Sequence, residues 1–208
     1  MALRASLVGV IATAAIVLAG VAWSAQASPS ASARVHKHMA SRTAVPPALA
    51  PFLANARVAT AKYATNLARA KRDGYTVTVT QMIPDMGWHF MNPAYTKFDV
   101  TKPPILVYEK RGDQWLLGAF EWVFTAKPAK NPLPAATYGS FGAACHYKDG
   151  TFVFKAAEAD CAQQSPQSGA PFAFWHPDFV TLHLWVWYPN SEGIFSGMNP
   201  LVKPFNKG

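Results

Sequence analysis

Ile105-Leu-Val-Tyr-Glu109, then Lys110-Arg-Gly-Asp113, then Trp115-Leu-Leu-Gly-Ala-Phe-Glu-Trp-Val-Phe124 follow one another almost without a break. Two apolar runs separated by a short polar segment with Gly-Asp at its tip predict a β-hairpin, and Pro103-Pro104 bound it at the front. Working outward, Tyr75-Thr-Val-Thr-Val-Thr80 alternates with period two, as a half-buried strand does. Thr151 to Lys155 reads as a short strand. Val180 to Tyr188 reads as a strong one, apolar on both faces. Residues 126–144 and 163–171 carry prolines, glycines and small polar residues and read as surface loops.

Upstream of the strands the period changes. Phe52, Ala56, Ala59, Tyr63, Leu67 and Ala70 fall three or four apart, which predicts one apolar helical face over residues 51–72. Lys71 and Arg72 suit the last turn of that helix, and Gly74 suits a left-handed stop. An amphipathic N-terminal helix followed by hairpin-linked strands predicts an α+β fold with an antiparallel β-sheet or small barrel. The organisation expected is a signal peptide over 1–27, a disordered linker over 28–46 and a single α+β domain over 47–208.

The leader is read from Arg4, the uncharged run Ala5 to Trp23, and the small-x-small site Ala25-Gln26-Ala27. Cleavage there leaves a secreted, extracytoplasmic chain with no stable membrane insertion. Without cleavage, the nineteen residues of the run would tether the domain outside the membrane. In an oxidising compartment Cys145 and Cys161, the two cysteines of the chain, predict a disulfide. The formal net charge of +8 comes from scattered basic residues rather than a dense stripe, which argues against a nucleic-acid partner.

The chemistry-bearing residues stand out because their neighbours are apolar. Glu121 sits inside Gly118-Ala-Phe-Glu-Trp-Val123, and His183 inside Thr181-Leu-His-Leu-Trp185. A buried carboxylate needs a cation, a hydrogen-bond network or a metal. His89 follows Met86-Gly87-Trp88, and His176 lies in Phe174-Trp175-His176-Pro177. Neutral imidazoles and a carboxylate suit a divalent transition metal (Zn, Cu, Fe or Mn). His89, Glu121, His176 and His183 are therefore the expected ligands, with Trp185 and Trp187 as the pocket wall. His146, next to Cys145, is left in a loop. The alternative reading of the same residues is a non-enzymatic module whose aromatic cleft holds a sugar or an apolar small molecule. A Gly-x-Ser-x-Gly elbow and a glycine-rich phosphate loop are both missing from the sequence.

The succession Ala59-Thr60-Ala61-Lys62-Tyr63, Asp73-Gly74-Tyr75, Met86-Gly87-Trp88-His89 with Asn92-Pro93, Glu121, and His176 through Leu182-His183 and Trp185 to Pro189-Asn190 and Phe195 resembles a group of secreted bacterial proteins of unassigned function. The resemblance spans roughly residues 55–203. It implies an exported single domain and carries no activity and no ligand assignment.

Overall fold

The structure is a computed structural model in which residues 45–205 are described. The expected leader, and the linker as far as residue 44, lie outside the described residues. The fold is α+β: a helical segment, a six-stranded antiparallel half-barrel sheet and a small three-stranded sheet.

The helical segment is two helices rather than one. Helix α1 (Ala50–Thr60) runs on into a 3-10 turn (Ala61–Tyr63), and α2 (Leu67–Arg72) follows. The break falls where the Thr60 hydroxyl donates back to the Ala56 carbonyl at 2.7 Å and Asn66 caps α2 by accepting from the Arg69 amide at 2.9 Å. Both are local bonds that compete with a continuing helix. The buried stripe is Leu49, Leu53, Ala56, Thr60, Tyr63, Leu67 and Ala70, so Leu53 and Thr60 replace the expected Phe52 and Ala59. Asp73 ties the segment together. Its carboxylate accepts from Lys62 Nζ at 2.7 Å and the Tyr63 hydroxyl at 2.8 Å, and it lies 3.1 Å from Arg69 Nε. Gly74, at φ +105°, then turns the chain into the first strand.

The large sheet has the order β1 (Val77–Ile83), β2 (Gly87–Met91), β3 (Ile105–Arg111), β4 (Gln114–Phe124), β9 (Phe179–Trp185), β5 (Gly139–Phe141). The hairpin read from the sequence is β3–β4, closed at Arg111 opposite Gln114. The small sheet has the order β7 (Phe152–Phe154), β6 (Ala144–Tyr147), β8 (Phe172–His176). Four strands lie outside those read from the sequence. Residues 87–91 form β2, the supposed loop 126–144 contains β5 and the first residue of β6, and residues 172–176, directly after the expected loop 163–171, form β8. The strand expected over 180–188 ends earlier, at Trp185.

Both faces of the large sheet are covered, which explains the near-continuous apolar runs in β3, β4 and β9. One face presents Phe90, Leu106, Tyr108, Phe120, Trp122, Leu182 and Leu184 to the helices, forming the main core. Tyr108 donates through its hydroxyl to the Tyr63 carbonyl at 2.8 Å, and Arg57 Nε donates to the Val186 carbonyl at 3.0 Å. Each fully buried Leu or Phe there contributes about 1.5–3 kcal/mol. On the opposite face Val107, Ala119 and Trp185 pack against Val202 of a C-terminal 3-10 segment. Further along that face, towards the small sheet, lie His89, Glu121 and His183. Among the described residues no helix is long and apolar enough to cross a membrane.

Cys145 and Cys161 are joined in a disulfide, as the leader and cysteine count predict, and the bond suggests an extracytoplasmic location. It pins β6 to the segment that follows β7. Replacing both cysteines by alanine is expected to cost about 3 kcal/mol and to lower the Tm by roughly 6–12 °C. A Tm within a degree of wild type would show that the bridge adds no stability.

Candidate metal centre

Strand register brings the three residues together. Glu121 on β4 stands directly opposite His183 on β9, and Ile105 of β3 stands opposite Glu121 on its other side. His89 on β2 pairs with Val107, the residue two beyond Ile105 on the same face of β3. Because side chains alternate across a sheet, all three project from one face. The carboxylate lies between the imidazoles: His183 Nε2 is 3.1 Å from Glu121 Oε1, and His89 Nε2 is 3.5 Å from Glu121 Oε2. The side chains of His89 and His183 are 3 % exposed and that of Glu121 is 12 % exposed, so water screens the group little.

The supporting bonds are asymmetric. His89 Nδ1 lies 2.7 Å from the Thr80 hydroxyl on β1, which turns Nε2 toward Glu121. His183 Nδ1 is buried and, among the described residues, has no hydrogen-bond partner. Burial lowers the His89 imidazole to about 4, more than Glu121 raises it, so it is neutral at pH 7. Burial pushes the Glu121 carboxyl up, but His183, by charge and hydrogen bond, together with His89, holds it below the usual carboxylate range. No Lys or Arg forms an ion pair with Glu121 among the described residues. A carboxylate flanked by two imidazoles is a donor set for a cation.

His89, Glu121 and His183 each offer a ligand atom within 4.8 Å of the others, a group able to hold a metal ion. Two nitrogens bound tetrahedrally at 2.0–2.1 Å stand about 3.4 Å apart, so closing from within 4.8 Å takes at most about 1.4 Å, shared between the two side chains. Three protein ligands leave coordination positions open, the pattern of catalytic zinc and non-haem iron sites rather than of closed structural ones.

His176 does not belong to this group. It ends β8 in the small sheet, and Pro177-Asp178 separate it from β9, so it and His183 sit in different sheets. Its Nε2 lies 2.9 Å from Nε2 of His146. His146, left in a loop by sequence reading, is a buried residue of β6, and burial lowers it to about 4. The tryptophans are displaced as well. Trp185 is buried against Val107, Ala119 and Val202 and donates to the Ser196 carbonyl at 2.7 Å. Trp187 lies past the strand end, where its indole donates to Thr60 Oγ1 at 3.1 Å on the helical side. Neither lines the cavity beside the histidines, because that cavity lies on the other side of His183, toward the small sheet.

The cavity is about 170 Å³, enough for several waters or one small molecule. His89, Glu121, His146, His176 and His183 all line it. Its remaining walls are mostly apolar and include Val79, Ile83, Met91, Phe141 and Phe179.

One buried acid outside the cavity gave no signal in the sequence. Glu109 is 1 % exposed, and burial, then the nearby Asp85, push its carboxyl up to about 8. Gly87, at φ +111°, lets the chain pass it: a Cβ there would meet Glu109 Oε1 and the Tyr108 carbonyl at 2.5 Å. A folded pKa above the unfolded one makes the Glu109 contribution complete below about pH 4.5 and lost as pH rises through about 8. Glu109→Gln is therefore expected to be the more stable chain at pH 9, by on the order of 4 kcal/mol, with little difference at pH 5. Urea midpoints at the two pH values test this, and parallel pH profiles for the two chains would refute it.

No protein-family model, no curated protein and no solved structure matches this chain, so its site is read from its own geometry.

Proposed function

We propose that this is an extracytoplasmic metalloprotein that holds a divalent transition metal on His89, Glu121 and His183 and presents the open metal positions to a small molecule in the adjoining cavity. The observation that carries the reading is the buried Glu121 carboxylate bracketed by two imidazole Nε2 atoms at 3.1 and 3.5 Å. A His-His-carboxylate set with open positions suits Lewis-acid or redox chemistry, so the site is built for metal-dependent catalysis. Zinc, copper, iron and manganese all accept this donor set, and metal supply selects among them.

The second reading is a binding module without catalysis. The apolar cavity walls favour it. They also narrow its ligand, because the aromatic walls are phenylalanines rather than tryptophans. That lining fits a small apolar molecule better than a sugar.

Thermal melting of the chelator-treated full chain tests the metal. At a free Zn²⁺ concentration of 100 times Kd, binding to the folded state adds about 2.7 kcal/mol, or roughly 5–10 °C in Tm. Glu121→Gln and His183→Ala are expected to weaken binding tenfold or more. If Zn²⁺, Cu²⁺, Fe²⁺ and Mn²⁺ all leave the Tm unchanged, and the purified chain carries under a tenth of an equivalent of each, the metal reading fails. A rise in Tm on adding a small apolar ligand in the presence of chelator would then support the binding module.

A further inference from the structure

The pair His146–His176 has a hydrogen-bonding conflict that a second cation resolves. His146 Nδ1 lies 2.8 Å from the Val79 carbonyl, and His176 Nδ1 lies 2.6 Å from the Pro177 carbonyl. A carbonyl oxygen only accepts, so both Nδ1 atoms carry the proton and donate. In the neutral rings both Nε2 atoms are then lone pairs, and they face each other at 2.9 Å. Two lone pairs at that distance repel unless something positive lies between them.

The surroundings hold this arrangement in place. His146 stacks on Phe174 with centroids 4.7 Å apart and planes at 7°. His176 stacks on Phe179 at 4.5 Å and 13°. His146 is 1 % exposed and His176 is 7 % exposed. The backbone bonds to Nδ1 are the outer contacts that fix the tautomer and ring orientation of metal-bound histidines. Among the described residues neither ring forms an ion pair with a carboxylate. Two nitrogens 2.9 Å apart accommodate one ion at about 2.05 Å with an angle near 90°, and parting by about 0.4 Å makes that angle tetrahedral.

We infer that His146 and His176 form a second transition-metal site, distinct from the His89–Glu121–His183 group, on the same cavity. Two neutral imidazoles with no acid select an imidazole-preferring metal, zinc or copper, over calcium, magnesium or manganese. The remaining positions of that ion face the cavity, so a small molecule there meets metal on two sides. The ligands come from the small sheet alone, so the site stands whether or not the three-residue group binds metal.

The test is metal stoichiometry of the purified full chain, measured by mass spectrometry after equilibration with Zn²⁺ and, separately, with Cu²⁺, and removal of excess metal. His146→Phe and His176→Phe keep the ring volume and the stacking while removing Nε2, and circular dichroism and Tm check that they fold. With at least one of the two metals, wild type is expected to bind one equivalent more than each Phe variant: two against one where the three-residue group also holds metal, one against none where it does not. Glu121→Gln distinguishes this from the first site, because it is expected to spare the metal bound by His146 and His176. A wild-type stoichiometry unchanged in both Phe variants would mean that the pair shares only a proton, and would overturn the inference. One equivalent in wild type, lost in the Phe variants and in Glu121→Gln alike, would mean a single shared centre and would overturn it too.

Discussion

Burying Glu121 is the constraint on which the rest of the site depends. An isolated carboxylate in an apolar interior costs far more than any single packing contact returns. The sheet compensates by placing His183 opposite it and His89 within reach. A slip of one residue between β4 and β9 would turn either Glu121 or His183 into the main core on the other face. The register is guarded on that side by Phe120, Trp122, Leu182 and Leu184, all buried beneath the helices. The helical segment therefore contributes no residue to the site and yet helps to fix its geometry.

The second layer of the site comes from the small sheet. β6 and β8 carry His146 and His176 to the cavity, and the disulfide from Cys145 anchors β6 beside them. The half-barrel supplies a carboxylate, two imidazoles and the Phe141 and Phe179 walls, and the small sheet supplies two imidazoles and Phe174. The cavity between them takes its shape from this division. Val79, Phe141 and Phe179 make the wall between them apolar.

Much of this was legible in the sequence, for identifiable reasons. The β3–β4 hairpin announced itself through Gly112-Asp113 between two apolar runs. Glu121 and His183 announced themselves as polar residues in runs that pack on both faces. The disulfide followed from an expected leader and two cysteines. What escaped notice was short or depended on partners. β2, β5, β6 and β8 span only three to five residues, so periodicity had too little length to act on. His146 was missed with β6. His176 stands against His146 on the same cavity rather than in the three-residue group, and sequence order does not tell which sheet a strand joins. Trp185 follows the parity of His183, but packing against Val202 puts it on the closed side, away from the cavity.

The most direct measurement is an anomalous-difference map from crystals of the zinc- or copper-loaded chain, collected at the absorption edge of the metal. The account predicts a peak about 2.0–2.2 Å from a nitrogen of His89, a nitrogen of His183 and an oxygen of Glu121. A loaded crystal with no peak there, and with Glu121 Oε1 still on His183 Nε2, would contradict it.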